Sequence, residues 1–231
     1  MGLIGIIITT IMFIGIGYII MKLGKELNVD SHLKIIEYSN GKVLGKLIDI
    51  VITFFLFGAL TVMIAGTGAL LKQQFNIPYF IGNLLMAIIT IITVLSGIKG
   101  VINAISFVVP FLLIFLFGTC LYSIINNQSS FFYPSNINTN WFLSTILYVS
   151  YNIILSISVL GPLGVKASNF KTVRNGAVLG GLGLGIGSIL IFLALSGNYF
   201  KIINLEVPMI YIAGQISSFF QIVYAFILIA E

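Results

Sequence analysis

Residues 47–71 read LIDIVITFFLFGALTVMIAGTGALL, with Asp49 as the one charged side chain in the run. A helix rises about 1.5 Å per residue, so about 20 apolar residues cross the roughly 30 Å of hydrocarbon in a bilayer. This stretch is therefore long enough and apolar enough to span a membrane as a helix.

Six further apolar runs follow the same pattern, at about 3–21, 77–98, 101–125, 141–165, 176–197 and 207–230. The chain of 231 residues is 59% hydrophobic and 7% charged, with a mean hydropathy of +1.16. Soluble domains carry about 25% charged residues, so this composition excludes a soluble enzyme, a nucleic-acid-binding protein and a disordered chain. The sequence predicts an all-α, polytopic transmembrane helix bundle of about seven spans. We expect one transmembrane domain over 1–231, in contact with the lipid bilayer.

The basic residues predict an orientation in the membrane. Alternate loops hold nine of them: Lys22, Lys25, Lys34, Lys42, Lys46, Lys99, Lys166, Lys171 and Arg174. The opposite loops hold Lys72 and Lys201. Loops rich in Lys and Arg stay on the cytoplasmic side, so we expect a cell-membrane protein with 22–46 in the cytoplasm and its amino terminus outside. Because an outward start without a signal peptide is unusual, we expect a chain truncated at both ends, with a span missing upstream.

The segment 22–46 contains a short amphipathic stretch. Asp30 or Ser31 is a suitable N-cap, and Leu33, Ile36 and Val29 form an apolar face. We expect a short helix that lies along the cytoplasmic interface of the membrane.

The run 141–165 has the highest density of polar groups. Tyr148, Ser150, Tyr151 and Asn152 lie near its centre, and Gly161-Pro162 near its end permits a break. One interpretation is a discontinuous helix that binds a substrate at mid-membrane through these four side chains. The alternative is ordinary hydrogen bonding between helices, which uses the same residue types.

The run 207–230 carries Ser217 and Ser218 near its middle and begins just after Glu206. Serine hydroxyls can bind a hard cation, so the two serines are weaker candidates for Na⁺, with structural hydrogen bonding as the alternative. Glu206 is interpreted as a helix-start residue, with gating or substrate attraction as the alternative. In the run 176–197, the pairs Gly181/Gly185 and Gly183/Gly187 predict close helix packing.

Catalytic patterns are absent from the sequence. No Asp, Glu, Lys, Arg or His lies in the middle of a run, and no metal-ligand spacing occurs. We interpret Asp49 as an interfacial ion-pair partner of Lys46, and His32 as a solvated side chain. The sequence therefore predicts that the protein is not an enzyme and has no cofactor, apart from Na⁺ as a candidate coupling ion.

Three strings carry a family resemblance: Lys42-Val-Leu-Gly-Lys-Leu-Ile-Asp49, Tyr148-Val-Ser-Tyr-Asn152 with Val159-Leu-Gly-Pro-Leu-Gly164, and Glu206-Val-Pro-Met-Ile-Tyr-Ile-Ala213. Together they resemble the YkvI-type bacterial membrane proteins of the amino acid–polyamine–organocation (APC) superfamily, which has the LeuT-like fold.

This resemblance implies two inverted five-helix repeats, each with a broken first helix. The runs found here would be helices 2–8, with 141–165 as the broken sixth helix and the first broken helix absent. The implied function is secondary transport of a small organic solute by alternating access, with an amino-acid-like solute and Na⁺ coupling as the finer expectations. The alternatives are a non-transporting, receptor-like membrane subunit, as spore-germination permeases of the same superfamily suggest, or a non-functional truncated copy.

Overall fold

Every regular element in the described part of the chain is an α-helix, which confirms the all-α prediction. The computed structural model describes residues 2–29, 31–95, 97–126 and 140–230, and within 97–106 the backbone alone. In chain order the helices are α1 (Gly2–Leu27), α2 (His32–Asn40), α3 (Lys42–Phe75), α4 (Tyr79–Leu95), α5 (Gly97–Asn126), α6 (Trp141–Lys166), α7 (Phe170–Gly197), α8 (Tyr199–Ile202), α9 (Pro208–Gly214) and α10 (Ser218–Ala230).

Five helices in these ranges are long and apolar enough to cross a bilayer: α1, α3, residues Phe107–Asn126 of α5, α6 and α7. Two further apolar helices are shorter, since α4 has 17 residues and α10 has 13. The expectation of about seven spans is therefore not confirmed: five of the described helices have the required length, and two are shorter. The chain is a multi-pass membrane protein.

The chain divides into two compact units. Unit 1 contains Met1–Ala59 and Ser135–Ile189, and unit 2 contains Leu60–Pro134 and Leu190–Glu231. Helices α3 and α7 each contribute to both units, while α1 and α6 belong to unit 1, and α4, α9 and α10 belong to unit 2.

Glycines set the packing of unit 1. A Cβ atom on Gly24 of α1 would collide with the backbone oxygen of Gly161 in α6. A Cβ atom on Gly164 would likewise collide with the backbone oxygen of Met21. Small residues let helix backbones approach closely in a membrane, where van der Waals contact is a main source of helix association. These glycines therefore bring α1 and α6 into backbone contact.

The break predicted at Gly161-Pro162 is wrong, because α6 runs without interruption from Trp141 to Lys166 with Pro162 inside it. Proline is tolerated in transmembrane helices when neighbouring groups support the backbone. Here the glycines on either side of Pro162 pack against α1 and Ile35, which supports the helix at this point. The discontinuity lies instead in the last apolar run, where α9 ends at Gly214 and α10 begins at Ser218.

The short helix predicted in 22–46 is present as α2. Its N-cap position is Ser31, in an extended conformation without a side-chain capping bond; the other candidate, Asp30, lies outside the described residues. Val29, Ile35 and Ile36 are buried, whereas Leu33 is half-buried. The apolar side of α2 therefore packs into unit 1. Its location at the cytoplasmic interface stays a prediction.

We predict opposite effects for the same substitution at two positions of α1. Gly24→Ala places a methyl group against the Gly161 carbonyl, and overpacking of this kind lowers the free energy of unfolding by about 1–3 kcal/mol. Gly15→Ala meets no atom within 4 Å, and alanine in a helix is favoured over glycine by about 0.5–1 kcal/mol. Thermal unfolding of the two purified variants in detergent measures the difference. Equal melting temperatures would contradict the backbone contact.

Candidate functional site

A cavity of about 240 Å³ lies within unit 1, among α1, α6 and α7. All three helices are long enough to span the membrane. Its walls are mainly apolar, with Phe13 and Ile20 from α1 and Leu160 from α6. Asn152 and Ser156, both on α6, contribute its polar side chains. A small apolar cavity with a few polar groups has the composition of a small-molecule site.

Glycines of α7 provide the space. Gly176 and Gly180 line the cavity, and a Cβ atom on either of them would meet nothing within 4 Å. On the same helix, a Cβ atom on Gly181 or Gly185 would collide with Ile14 or Thr10 of α1, respectively. The packing predicted for Gly181/Gly185 is therefore confirmed.

The other predicted glycine pair behaves differently. A Cβ atom on Gly183 would meet nothing within 4 Å, so the packing expected for Gly183/Gly187 is wrong at Gly183. The glycines of α7 thus have three surroundings: contact with α1, the cavity and an open face.

The orientation of the Asn152 amide follows from one hydrogen bond. Its Nδ2 donates to the backbone oxygen of Tyr148 at 2.8 Å. A carbonyl oxygen can only accept, so the amide nitrogen has to face Tyr148. The Oδ1 atom of Asn152 is therefore the amide atom left to accept a hydrogen bond from a molecule in the cavity.

Of the four predicted substrate residues, Asn152 alone lines the cavity. The rings of Tyr148 and Tyr151 meet edge to face with centroids 5.5 Å apart, and Tyr148 also lies 6.3 Å from the ring of Phe13. Ser150 is exposed, and its Oγ donates to the backbone oxygen of Ile146 at 2.8 Å. Residues 150 and 152 are two positions apart, so they point to different sides of the helix.

Unit 2 contains a buried polar cluster that the sequence analysis did not single out. Asn198, only 2% exposed, donates through Nδ2 to Oγ of Ser123 at 2.8 Å and to the backbone oxygen of Ala194 at 2.9 Å. Its Oδ1 accepts from Nε2 of Gln215 at 2.9 Å. Gln215 directly follows α9, so Asn198 connects α5 to the break between α9 and α10. The available signal was an amide side chain directly after a glycine-rich apolar run.

The start of α9 is also fixed by side chains within unit 2. Gln73 makes two hydrogen bonds of 2.9 Å with the backbone of Val207, one through each end of its amide. The Tyr79 hydroxyl donates to Oε1 of Glu206 at 2.8 Å. Pro208 is the first residue of α9, so Glu206 lies just before the helix start, as predicted.

Ser217 and Ser218 lie at the break and are both exposed. The Ser217 Oγ accepts a hydrogen bond from the backbone N–H of Phe220 at 3.1 Å, which is the geometry of an N-cap for α10. The structural alternative therefore accounts for Ser217. A role of the two serines in binding Na⁺ stays a prediction.

Asp49 has a different neighbour from the one expected. Its Oδ1 lies 2.8 Å from Nε2 of His32, and both side chains are less than one-third exposed. The interpretation of His32 as a solvated side chain is therefore wrong, and Asp49 pairs with His32 instead of with the expected Lys46. Sequence distance could not predict the contact between His32 and Asp49, because α2 folds back and brings position 32 beside position 49.

Comparison with known proteins identifies relatives. A family described as "Spore germination protein" matches residues 1–139. The uncharacterized membrane protein YkvI of Bacillus subtilis (strain 168) is 29% identical over 234 residues, which cover 100% of this chain and 67% of the relative. The uncharacterized protein YyaD of the same organism is 31% identical over 185 residues, covering 78% of this chain and 53% of the relative. The chain thus spans about two thirds and about half of these relatives' lengths.

No solved structure matches the chain. The resemblance to YkvI-type membrane proteins is confirmed. Membership of the amino acid–polyamine–organocation superfamily and the LeuT-like fold stay predictions.

We predict that Asn198→Leu destabilises unit 2, because it removes the hydrogen bonds to Ser123 and Gln215 from a buried site. The loss of partners for buried polar groups lowers the free energy of unfolding by about 1–3 kcal/mol per group. Asn126→Leu is the matched control, since Asn126 is exposed and, among the described residues, its Nδ2 bonds its own helix, at Tyr122. Thermal unfolding in detergent compares the two; equal losses would contradict a structural role for the cluster.

Proposed function

Since the chain belongs to the spore germination protein family and is a multi-pass membrane protein, we propose that it is a permease-like protein that binds a small organic solute in the unit 1 cavity. The observation that carries this proposal is the pairing of a glycine-lined cavity with the Asn152 acceptor among three helices of spanning length. Family and site point to binding and translocation of a solute, and away from catalysis.

The architecture of the cavity supports this role. Gly176 and Gly180 of α7 leave space opposite α6, and Asn152 with Ser156 lies on the wall of α6. Few polar groups in an apolar wall fix the orientation of a ligand, while the apolar remainder gives binding energy through burial. The contact of α1 with α6 through Gly24 and Gly164 holds the two walls at a fixed distance.

Transport by alternating access is the mechanism we propose for the complete protein. An amino-acid-like solute, Na⁺ coupling through Ser217 and Ser218, and a LeuT-like arrangement are finer expectations from sequence that remain part of this proposal. The family description favours a second candidate, a receptor-like subunit that binds a solute without moving it.

We also propose that residues 1–231 act as one transmembrane domain of the cell membrane, with 22–46 in the cytoplasm. The 9:2 distribution of basic residues supports this orientation. Helix α2, with its buried side in unit 1 and Lys34 on the same short helix, would then lie at the inner membrane surface.

A ligand screen tests the binding proposal. We expect at least one member of a panel of amino acids, alcohols, amines and nucleosides to raise the melting temperature of the purified protein. A ligand at one hundred times its Kd stabilises the folded form by about 2.7 kcal/mol. Gly180→Leu should abolish the shift by filling the cavity, whereas Gly183→Leu, which meets only open space, should preserve it.

Two results would contradict this proposal: a panel without any stabilising compound, or a shift that persists in Gly180→Leu. Uptake of the stabilising compound into proteoliposomes then separates the two candidates. Uptake that Gly180→Leu abolishes supports the transporter, and binding without uptake supports the receptor-like subunit.

Cysteine labelling tests the orientation. We expect Tyr38→Cys, at an exposed position of α2, to react with a membrane-impermeant maleimide only after cells are opened. Lys201→Cys should react in intact cells. The native Cys120 is buried and gives little background. Labelling of position 38 in intact cells would reverse the proposed orientation.

A further inference from the structure

We infer that the unit 1 cavity selects an uncharged molecule of about ten non-hydrogen atoms, with an apolar body and a single head group that donates a hydrogen bond to Asn152. This inference rests on the proposed function and specifies the chemical class of its ligand. Because a free amino acid is a zwitterion, it restricts the amino-acid-like expectation to neutral derivatives.

The volume sets the size of the ligand. An apolar protein cavity of about 150 Å³ holds one benzene molecule, which has six non-hydrogen atoms. The cavity here has about 240 Å³, so the same packing accommodates about ten. A ring or branched chain of that size can contact Phe13, Ile20 and Leu160 at once.

The polar groups of the wall are mainly acceptors. One N–H of the Asn152 amide donates to the Tyr148 carbonyl, which leaves the second N–H and the Oδ1 atom. The Ser156 hydroxyl donates to the backbone oxygen of Ile153 at 3.2 Å, which leaves its lone pairs. The backbone N–H groups in the middle of α6 and α7 bond within their own helices. The described wall therefore offers more acceptors than donors, with Oδ1 of Asn152 and Oγ of Ser156 against one remaining N–H of Asn152, and it favours a ligand that donates a hydrogen bond over one that only accepts.

The charge of the wall is zero. Its described members are Phe, Gly, Ile, Met, Asn, Ser, Ala and Leu side chains, none of which is ionised. Transfer of an unpaired carboxylate or ammonium into apolar surroundings is strongly unfavourable. A hydroxyl or an amide N–H meets the requirement for a donor without this penalty. The cavity therefore selects an alcohol or a neutral amide over a carboxylate.

Three compounds of similar shape test this selectivity on the purified protein: 2-phenylethanol, its methyl ether and phenylacetate. The ether keeps the ring and the oxygen but has no donor, and phenylacetate is a carboxylate. We expect 2-phenylethanol to raise the melting temperature and to bind about tenfold more tightly than the ether, because one hydrogen bond separates them. Phenylacetate should give no shift. Equal binding of alcohol and ether, or stronger binding of phenylacetate, would overturn the inference.

Substitutions in the cavity wall test where 2-phenylethanol binds. Gly180→Leu should abolish the shift with 2-phenylethanol, and Gly183→Leu should retain it; a shift that persists in Gly180→Leu arises from the detergent micelle and would overturn the inference. Asn152→Leu should bring the alcohol and the ether to equal affinity. The comparison of alcohol with ether in the unmodified protein needs no variant, so the test holds even if Asn152→Leu does not fold.

The experiments distinguish an incorrect ligand class from an incorrect assignment of solute binding. If 2-phenylethanol has no effect but another panel compound gives a shift that Gly180→Leu abolishes, the ligand class is wrong and solute binding stands. If no compound gives such a shift, both are wrong.

Discussion

The approach of α1 to α6 is the contact on which unit 1 depends. In a membrane the surrounding lipid is as apolar as the side chains, so helices gain little from hydrophobic association and rely on close packing. Gly24, Gly161 and Gly164 remove the side chains that would keep the two backbones apart. This contact fixes where Asn152 and Ser156, on the same helix, stand relative to α1. The cavity wall is therefore a consequence of a backbone contact about one to three turns away along α6.

Unit 2 holds its discontinuous helix by different means. Polar side chains replace glycines: Asn198 accepts a hydrogen bond from the Gln215 side chain beside the interruption, and Gln73 bonds the backbone of Val207 just before α9. Apolar side chains surround this cluster, with Cys120, Ala194 and Ile212 all fully buried. Buried amides are tolerated where every polar atom has a partner, and Asn198 uses both ends of its amide. Unit 1 is thus stabilised by the close approach of two helix backbones, whereas unit 2 is stabilised by polar contacts around an interrupted helix.

The sequence predicted the all-α fold class, and the predicted span 141–165 agrees closely with helix α6. Hydropathy placed the end of the first span at 21, whereas α1 continues to Leu27 through Lys22 and Glu26, which form an i,i+4 pair at 3.7 Å. A hydropathy window stops at such charges although the helix does not.

The location of the break could not be predicted in the same way. The proline rule is local and pointed to Pro162, but the neighbours of Pro162 decide whether the helix continues. The true break at 215–217 is stabilised by Asn198, 17 positions from Gln215 along the chain. Of the four predicted substrate residues, Asn152 could be placed in the cavity only once α1 and α7 were known. Polar residues in a predicted span identify candidate site residues, but the packing of the helices determines which of them face the cavity.

Different glycines of α7 determine the packing of the helices and the volume of the cavity, two properties that are usually linked in evolution. Replacement of Gly181 or Gly185 disturbs the scaffold, whereas larger residues at Gly176 or Gly180 extend into the cavity. If the cavity binds a solute as proposed, two codons can therefore change which molecules fit while the helix bundle is inherited unchanged. Descendants of such a gene can diverge in ligand preference by single steps, without compensating changes elsewhere.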